Sequence, residues 1–136
     1  MKIRQDFVTN SSSTSFIISM KEDFKVSNFF KALGVDKNCL LSDMVESFFD
    51  VIDENKIDLE DKLGSDFSYD DISSALGYKG FNRRELRVVE NLLADKRKVY
   101  YGDFSDLSTT VEQFLCRFSL MINDDAIYFN AAADDI

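Results

Sequence analysis

Between Cys39 and Ile52 the apolar residues come in pairs: Leu40 and Leu41, Met44 and Val45, Phe48 and Phe49, Val51 and Ile52. Steps of three and four residues mark one face of a helix, and pairing widens that face. So broad a stripe predicts a deeply buried helix, with Asn38 as its cap. The rest of the chain must supply the layers that cover it.

Four segments read as strands: "KIRQDFV" (2–8), the wholly apolar "FIISM" (16–20), "KVYYG" (98–102) and "AIYFN" (126–130). Between them lie further helical patterns. "SNFFKALG" has Ser27 as its cap and Gly34 as its stop. "SYDDISSALG" pairs Ser68 with Asp71 in a capping box and ends at Gly77. "FNRRELRVVENLLADKRK" is capped by Asn82 and Glu85, with Phe81 and Leu86 as a hydrophobic staple. "STTVEQFLCRF" opens with Thr109 and Glu112 as a capping pair. The expected fold is α/β (α+β), one domain over residues 1–136, with a small sheet of about four strands and four to five helices packed on it. The last strand follows its predecessor through a helix, either as a right-handed crossover or as an antiparallel return.

Thirteen Phe and a hydrophobic fraction of 45% provide the core. Met1 leads directly into "KIRQDF", without the apolar run of a secretory signal, and no stretch reaches the length of a membrane span. The expectation is a cytoplasmic protein with no membrane partner. Cys39 and Cys116 lie far apart and read as buried reduced thiols. A net charge of −9 and a pI near 4.4 disfavour nucleic acid as a partner of the whole surface and favour a protein with a basic surface.

The chain has no His, which removes the commonest general base and metal ligand. A calcium loop starting at Asp66 fails. Its sixth position is Asp71 where Gly is needed, and its twelfth is Gly77 where Glu is needed. Gly-rich phosphate motifs are absent. These observations lean against an enzyme and imply no cofactor. Carboxylates concentrate in an acidic segment, 53–71, read as a loop or short exposed helix: Asp53, Glu54, Asp58, Glu60, Asp61, Asp66, Asp70 and Asp71. Asp124 and Asp125 and a short acidic tail, 131–136, add to them. Spacing alone selects no pair for magnesium or acid–base work, although a carboxylate/metal-dependent enzyme stays among the alternatives.

One segment runs against the overall charge. Residues 79–98 carry seven cations and three carboxylates, a local +4 that leaves −13 on the remainder. Within it, residues 70–93 resemble a helix-turn-helix, with Lys79, Arg83, Arg84 and Arg87 as candidate DNA contacts. The long turn, and arginines where core-facing residues are usual, depart from that pattern.

The stretch "IRQDFVTNSSSTSF" resembles the opening of a set of small bacterial and phage proteins: Arg, two variable residues, Phe-Val, Ser or Thr, Asn, a serine run, then Phe. Arg4, Phe7, Val8, Thr9, Asn10, Ser11, Ser12, Ser13, Ser15 and Phe16 fit, and Thr14 departs. The resemblance covers about the first eighteen residues. It implies an intracellular protein of a bacterium or mobile element and carries no activity. Physically, Asn10, Ser11, Ser12, Ser13, Thr14 and Ser15 read as a hydroxyl-lined loop between two strands, with modification or anion binding as the functional options. Together these readings point to a small acidic protein-binding module. Its most concrete form is a phage or mobile-element inhibitor that mimics nucleic-acid charge on a host enzyme, with the carboxylates Asp53, Glu54, Asp58, Glu60, Asp61, Asp66, Asp70 and Asp71 as the partner-binding face in place of phosphates.

Overall fold

The computed structural model describes residues 2–3, 13–64, 66–105 and 110–131. Its centre is an antiparallel sheet of five strands in the order β3-β4-β2-β7-β6. These are β2 (Ser13–Met20), β3 (Ile57–Asp58), β4 (Val99–Ser105), β6 (Met121–Asn123) and β7 (Ile127–Asn130). A separate two-stranded ladder joins β1 (Lys2–Ile3) to β5 (Phe118–Ser119). The helices are α1 (Val26–Leu33), α2 (Ser42–Asn55), α3 (Leu59–Leu63), α4 (Tyr69–Leu76), α5 (Arg83–Ala94) and α6 (Thr110–Arg117), with a 3₁₀ turn at Gly77–Lys79. The fold is α+β. Both β4 and β7 run antiparallel to β2, so the chain from β4 through α6 to β7 passes from one side of β2 to the other.

β2 is apolar at consecutive positions because both faces of the sheet are covered. Phe16, Ile18 and Met20 join Phe104, Ile127 and Phe129 beneath α1, α2 and α6. Ile17, with Val99, Tyr101 and Tyr128, lies beneath α3, α4 and α5. A strand covered on both sides has no polar face to alternate with. On the first side a chain of rings runs from Phe24 through Phe49, Phe29, Phe48, Phe129 and Phe16 to Phe104, with neighbouring centroids 4.4–6.3 Å apart. Spacings of this order are those at which aromatic pairs attract beyond simple burial.

Gly102 sits opposite Phe16 in the β2–β4 register. A Cβ at Gly102 would meet the Asn55 carbonyl oxygen at the end of α2 and come within 2.9 Å of the Phe16 ring. The missing side chain therefore sets how closely α2 seats on the sheet.

The capping boxes Ser68/Asp71 and Asn82/Glu85 form as expected, and Gly34 closes α1 at φ 72°. Several expectations fail. Lys25, not Ser27, is the N-cap of α1. α2 starts at Ser42; Asn38 instead donates its backbone N–H to Asp36 in a turn, at 2.9 Å. The predicted deep burial holds only for the second half of that helix, because Leu40, Leu41 and Met44 are 101%, 56% and 57% exposed. Cys116 is a buried free thiol, as expected, but free Cys39 is only half-buried. Of the two readings of 53–71, the short helix is present as α3, but the segment also holds the end of α2, β3 and the start of α4, and its Leu59 is fully buried. The expected strand 2–8 is described only at β1, and Thr109 lies outside the described residues.

α5 ends in a Schellman turn, with Arg97 N–H donating to the Leu92 carbonyl and Lys96 N–H to that of Leu93. Lys96 occupies the left-handed position, φ 63°, where Gly is usual. Two predictions follow from this packing. Gly102→Ala should lower stability by about 1–3 kcal/mol, the range for overpacking a well-packed core, read as a reduced urea midpoint. Lys96→Gly should raise it by about 0.5–1 kcal/mol, the left-handed penalty less the extra freedom of unfolded Gly.

Candidate functional site

The acidic segment divides into structural and open carboxylates. Asp58 is mostly buried. It caps α3 by accepting from Glu60 N–H at 3.0 Å and pairs with Lys98 at 3.3 Å. That hydrogen bond, and the Asp58 charge, push the Lys98 pKa up. Asp71 is committed to the α4 capping box. Asp53 is exposed and paired with Lys56 at 2.6 Å. Glu54, Asp61, Asp66 and Asp70 are exposed, and Glu60 is half-buried. The expectation of one uniformly exposed acidic surface is thus corrected at Asp58 and Glu60.

The structure adds a feature that reading by sequence clusters missed. Asp43, Glu46, Asp50, Asp53 and Glu54 are all exposed on α2. Their three- and four-residue spacing puts them on one face, opposite buried Phe49 and Ile52. Among the described residues, only Asp53 of the five has an ion-pair partner. The exposed Leu40, Leu41 and Met44 stand at the start of the same helix. The spacing of the carboxylates was the available signal, but the paired apolar residues drew the reading to the other face.

The basic candidates do not form one patch. Lys79 has only 12% of its side chain exposed, pairs with Asp103 at 3.1 Å and lies over the Tyr101 ring. Arg87 stacks on Tyr69, 3.9 Å from the ring centroid, and pairs with Glu90 at 2.9 Å. Arg83 and Arg84 are open to solvent in the first turn of α5. The helix pair α4–α5 packs on the sheet through Ile72, Leu76, Leu86, Val89 and Leu93.

The hydroxyl run is partly strand. Ser13–Ser15 belong to β2, and Thr14 and Ser15 are buried, so neither is open to a modifying enzyme. Pairing with β4 draws them into the sheet, against the turn preference of serine. Ser15 Oγ donates to Asp103 at 2.6 Å, which also holds Lys79. Asn10, Ser11 and Ser12, and most of the motif shared with the bacterial and phage proteins, lie outside the described residues.

Beside this cluster, buried Asn130 donates to Glu85 and to the Tyr128 hydroxyl. Glu85 therefore caps α5 and also ties its first turn to β7. Burial pushes the Tyr128 pKa up, the Asn130 bond opposes that, and the Glu85 charge adds to it. The cluster fixes α5 on the sheet. Among the described residues no three Cys, Asp or Glu side chains come together to hold a metal ion.

Comparison with protein families, curated proteins and solved structures gives no match for this chain. The polar seam yields a pH test. Burial also raises the Tyr100 pKa. Absorbance titration at alkaline pH should therefore show at least two of the five tyrosines ionising late. A pKa raised in the native state contributes stability that is whole below the free value of about 10 and is lost as pH rises through the folded value. Stability should hold to about pH 10 and then fall; four or more of the five tyrosines ionising at the free value would contradict this.

Proposed function

We propose that this protein is a binding module that engages a basic surface on another protein through α2. The finer reading is an inhibitor of bacterial or phage origin whose carboxylates take the place of phosphates in a nucleic-acid-binding cleft. The observation that supports it is the outer face of α2, where Asp43, Glu46, Asp50 and Glu54 are exposed, without ion-pair partners among the described residues, beside exposed Leu40, Leu41 and Met44. Carboxylates about one helical turn, roughly 5.4 Å, apart form an extended anionic row. An apolar cluster with a charged flank is the usual anatomy of a protein interface. No described helix is long and apolar enough to cross a membrane.

A second reading, a DNA-binding regulator using residues 70–93, is supported by the open Arg83 and Arg84. The occupied Lys79 and Arg87 weaken it. Fluorescence anisotropy with labelled duplex DNA at low salt tests it: tight binding lost in Arg83→Ala/Arg84→Ala would favour this reading over the first.

The charge test must spare Asp58, which caps α3. Glu46→Lys, Asp50→Lys and Glu54→Lys together change only exposed groups, each expected to shift stability by no more than about 0.5 kcal/mol. Immobilised wild type should capture basic proteins from a bacterial lysate, and duplex DNA should displace them. The triple variant should lose them, with the largest effect on association rate at low salt. Capture that DNA does not displace would contradict the inhibitor reading. Equal capture by the triple variant would contradict the role of α2.

A further inference from the structure

We propose that the cleft where β2 ends and β4 begins binds a small phosphorylated ligand. The cleft measures about 790 Å³ and is built from the 20–25 segment, Lys56, residues 95–98, Tyr100 and Asp125. Clefts of roughly 300–1,000 Å³ are the size that holds small molecules. Six cations line it, Lys21, Lys25, Lys56, Lys96, Arg97 and Lys98, against the carboxylates Glu22, Asp23, Asp95 and Asp125. The lining is +2 on a chain of −9. A local excess of positive charge in a concave site draws anions from solution.

The cations divide by role. Arg97 is clamped, its guanidinium donating to the Ser19 carbonyl at 3.2 Å and the Asp125 carbonyl at 3.5 Å. Its Nε is buried without a partner among the described residues. Lys56 and Lys98 are held by Asp53 and Asp58, which stand outside the lining. Lys56 also lies over the Phe24 and Tyr100 rings, at 5.1 and 5.4 Å. Among the described residues Lys25 and Lys96 have no ion-pair or side-chain hydrogen-bond partner, and both are exposed, which makes them the ammonium groups open to a ligand.

Lys96 carries the argument furthest. Among the described residues it is the one non-glycine with positive φ, and it stands on the cleft lining. A turn with only a structural role would be better served by Gly. Strained backbone of this kind clusters at active sites, ligand clamps and switch regions. The mixture of charges narrows the ligand. Lysines suit a phosphate as compact charges, Tyr100 and Phe24 provide an apolar wall, and the carboxylates accept from hydroxyl or amino groups. A nucleotide combines all three.

Titration calorimetry at low salt with ATP, AMP and inorganic pyrophosphate tests the site. ATP should bind wild type, and rising salt should weaken it. Lys96→Gly should melt higher than wild type yet bind about tenfold more weakly, as should Lys25→Ala, the loss of one charged contact. Lys62→Ala, an equal charge loss away from the cleft, should bind as wild type does. Pyrophosphate as tight as ATP would support the site with phosphate as the recognised group; ATP tighter than pyrophosphate would support it with the base or ribose contributing. No heat from any of the three probes, or Lys96→Gly binding ATP as wild type does, would overturn the proposal.

Discussion

The Phe16 ring rests against Gly102 on the neighbouring strand, and the Asn55 carbonyl at the end of α2 comes down on the same glycine. Any side chain there would force the three apart. Because the contact fixes the end of α2, it also helps to fix which side of that helix faces the sheet. Phe49, Val51 and Ile52 enter the core, and Asp50, Asp53 and Glu54 beside them are left outside. β3 follows within two residues and pairs with β4 at Tyr100 and Tyr101. A single missing methyl group thus links core packing to the charge pattern of the surface.

That surface has two characters. The outer side of α2 is anionic, and α5, on the opposite side of the sheet, exposes Arg83 and Arg84. The end of the sheet between them holds the mixed but net positive cleft. The net charge of −9 therefore describes no particular face. The proposed partner contact and the proposed ligand site occupy different regions, and each can fail without the other.

Much of the framework was legible because local chemistry and tertiary structure agree. Ser68 with Asp71, Asn82 with Glu85, and Gly34 each satisfy backbone groups within a few residues, so their roles show in sequence. β3, β5 and β6 are two or three residues long and exist only through their partners, which leaves no pattern to read. The pairs from Leu40 to Ile52 show helical spacing, yet periodicity does not reveal where cover ends, and Leu40, Leu41 and Met44 fall beyond it. Thr14 and Ser15 carry turn-forming side chains but are claimed by β4. The strain at Lys96 was invisible because the sequence offers no glycine to mark it, and the cleft joins segments far apart along the chain.

The claim at the centre of this account is that α2 meets the partner. Hydrogen exchange of the protein, free and bound to a captured basic protein, addresses it without any substitution. Binding at α2 predicts slowed exchange in peptides covering residues 40–54 and unchanged exchange over residues 83–94. Slowing confined to residues 83–94 would contradict it and assign the contact to α5.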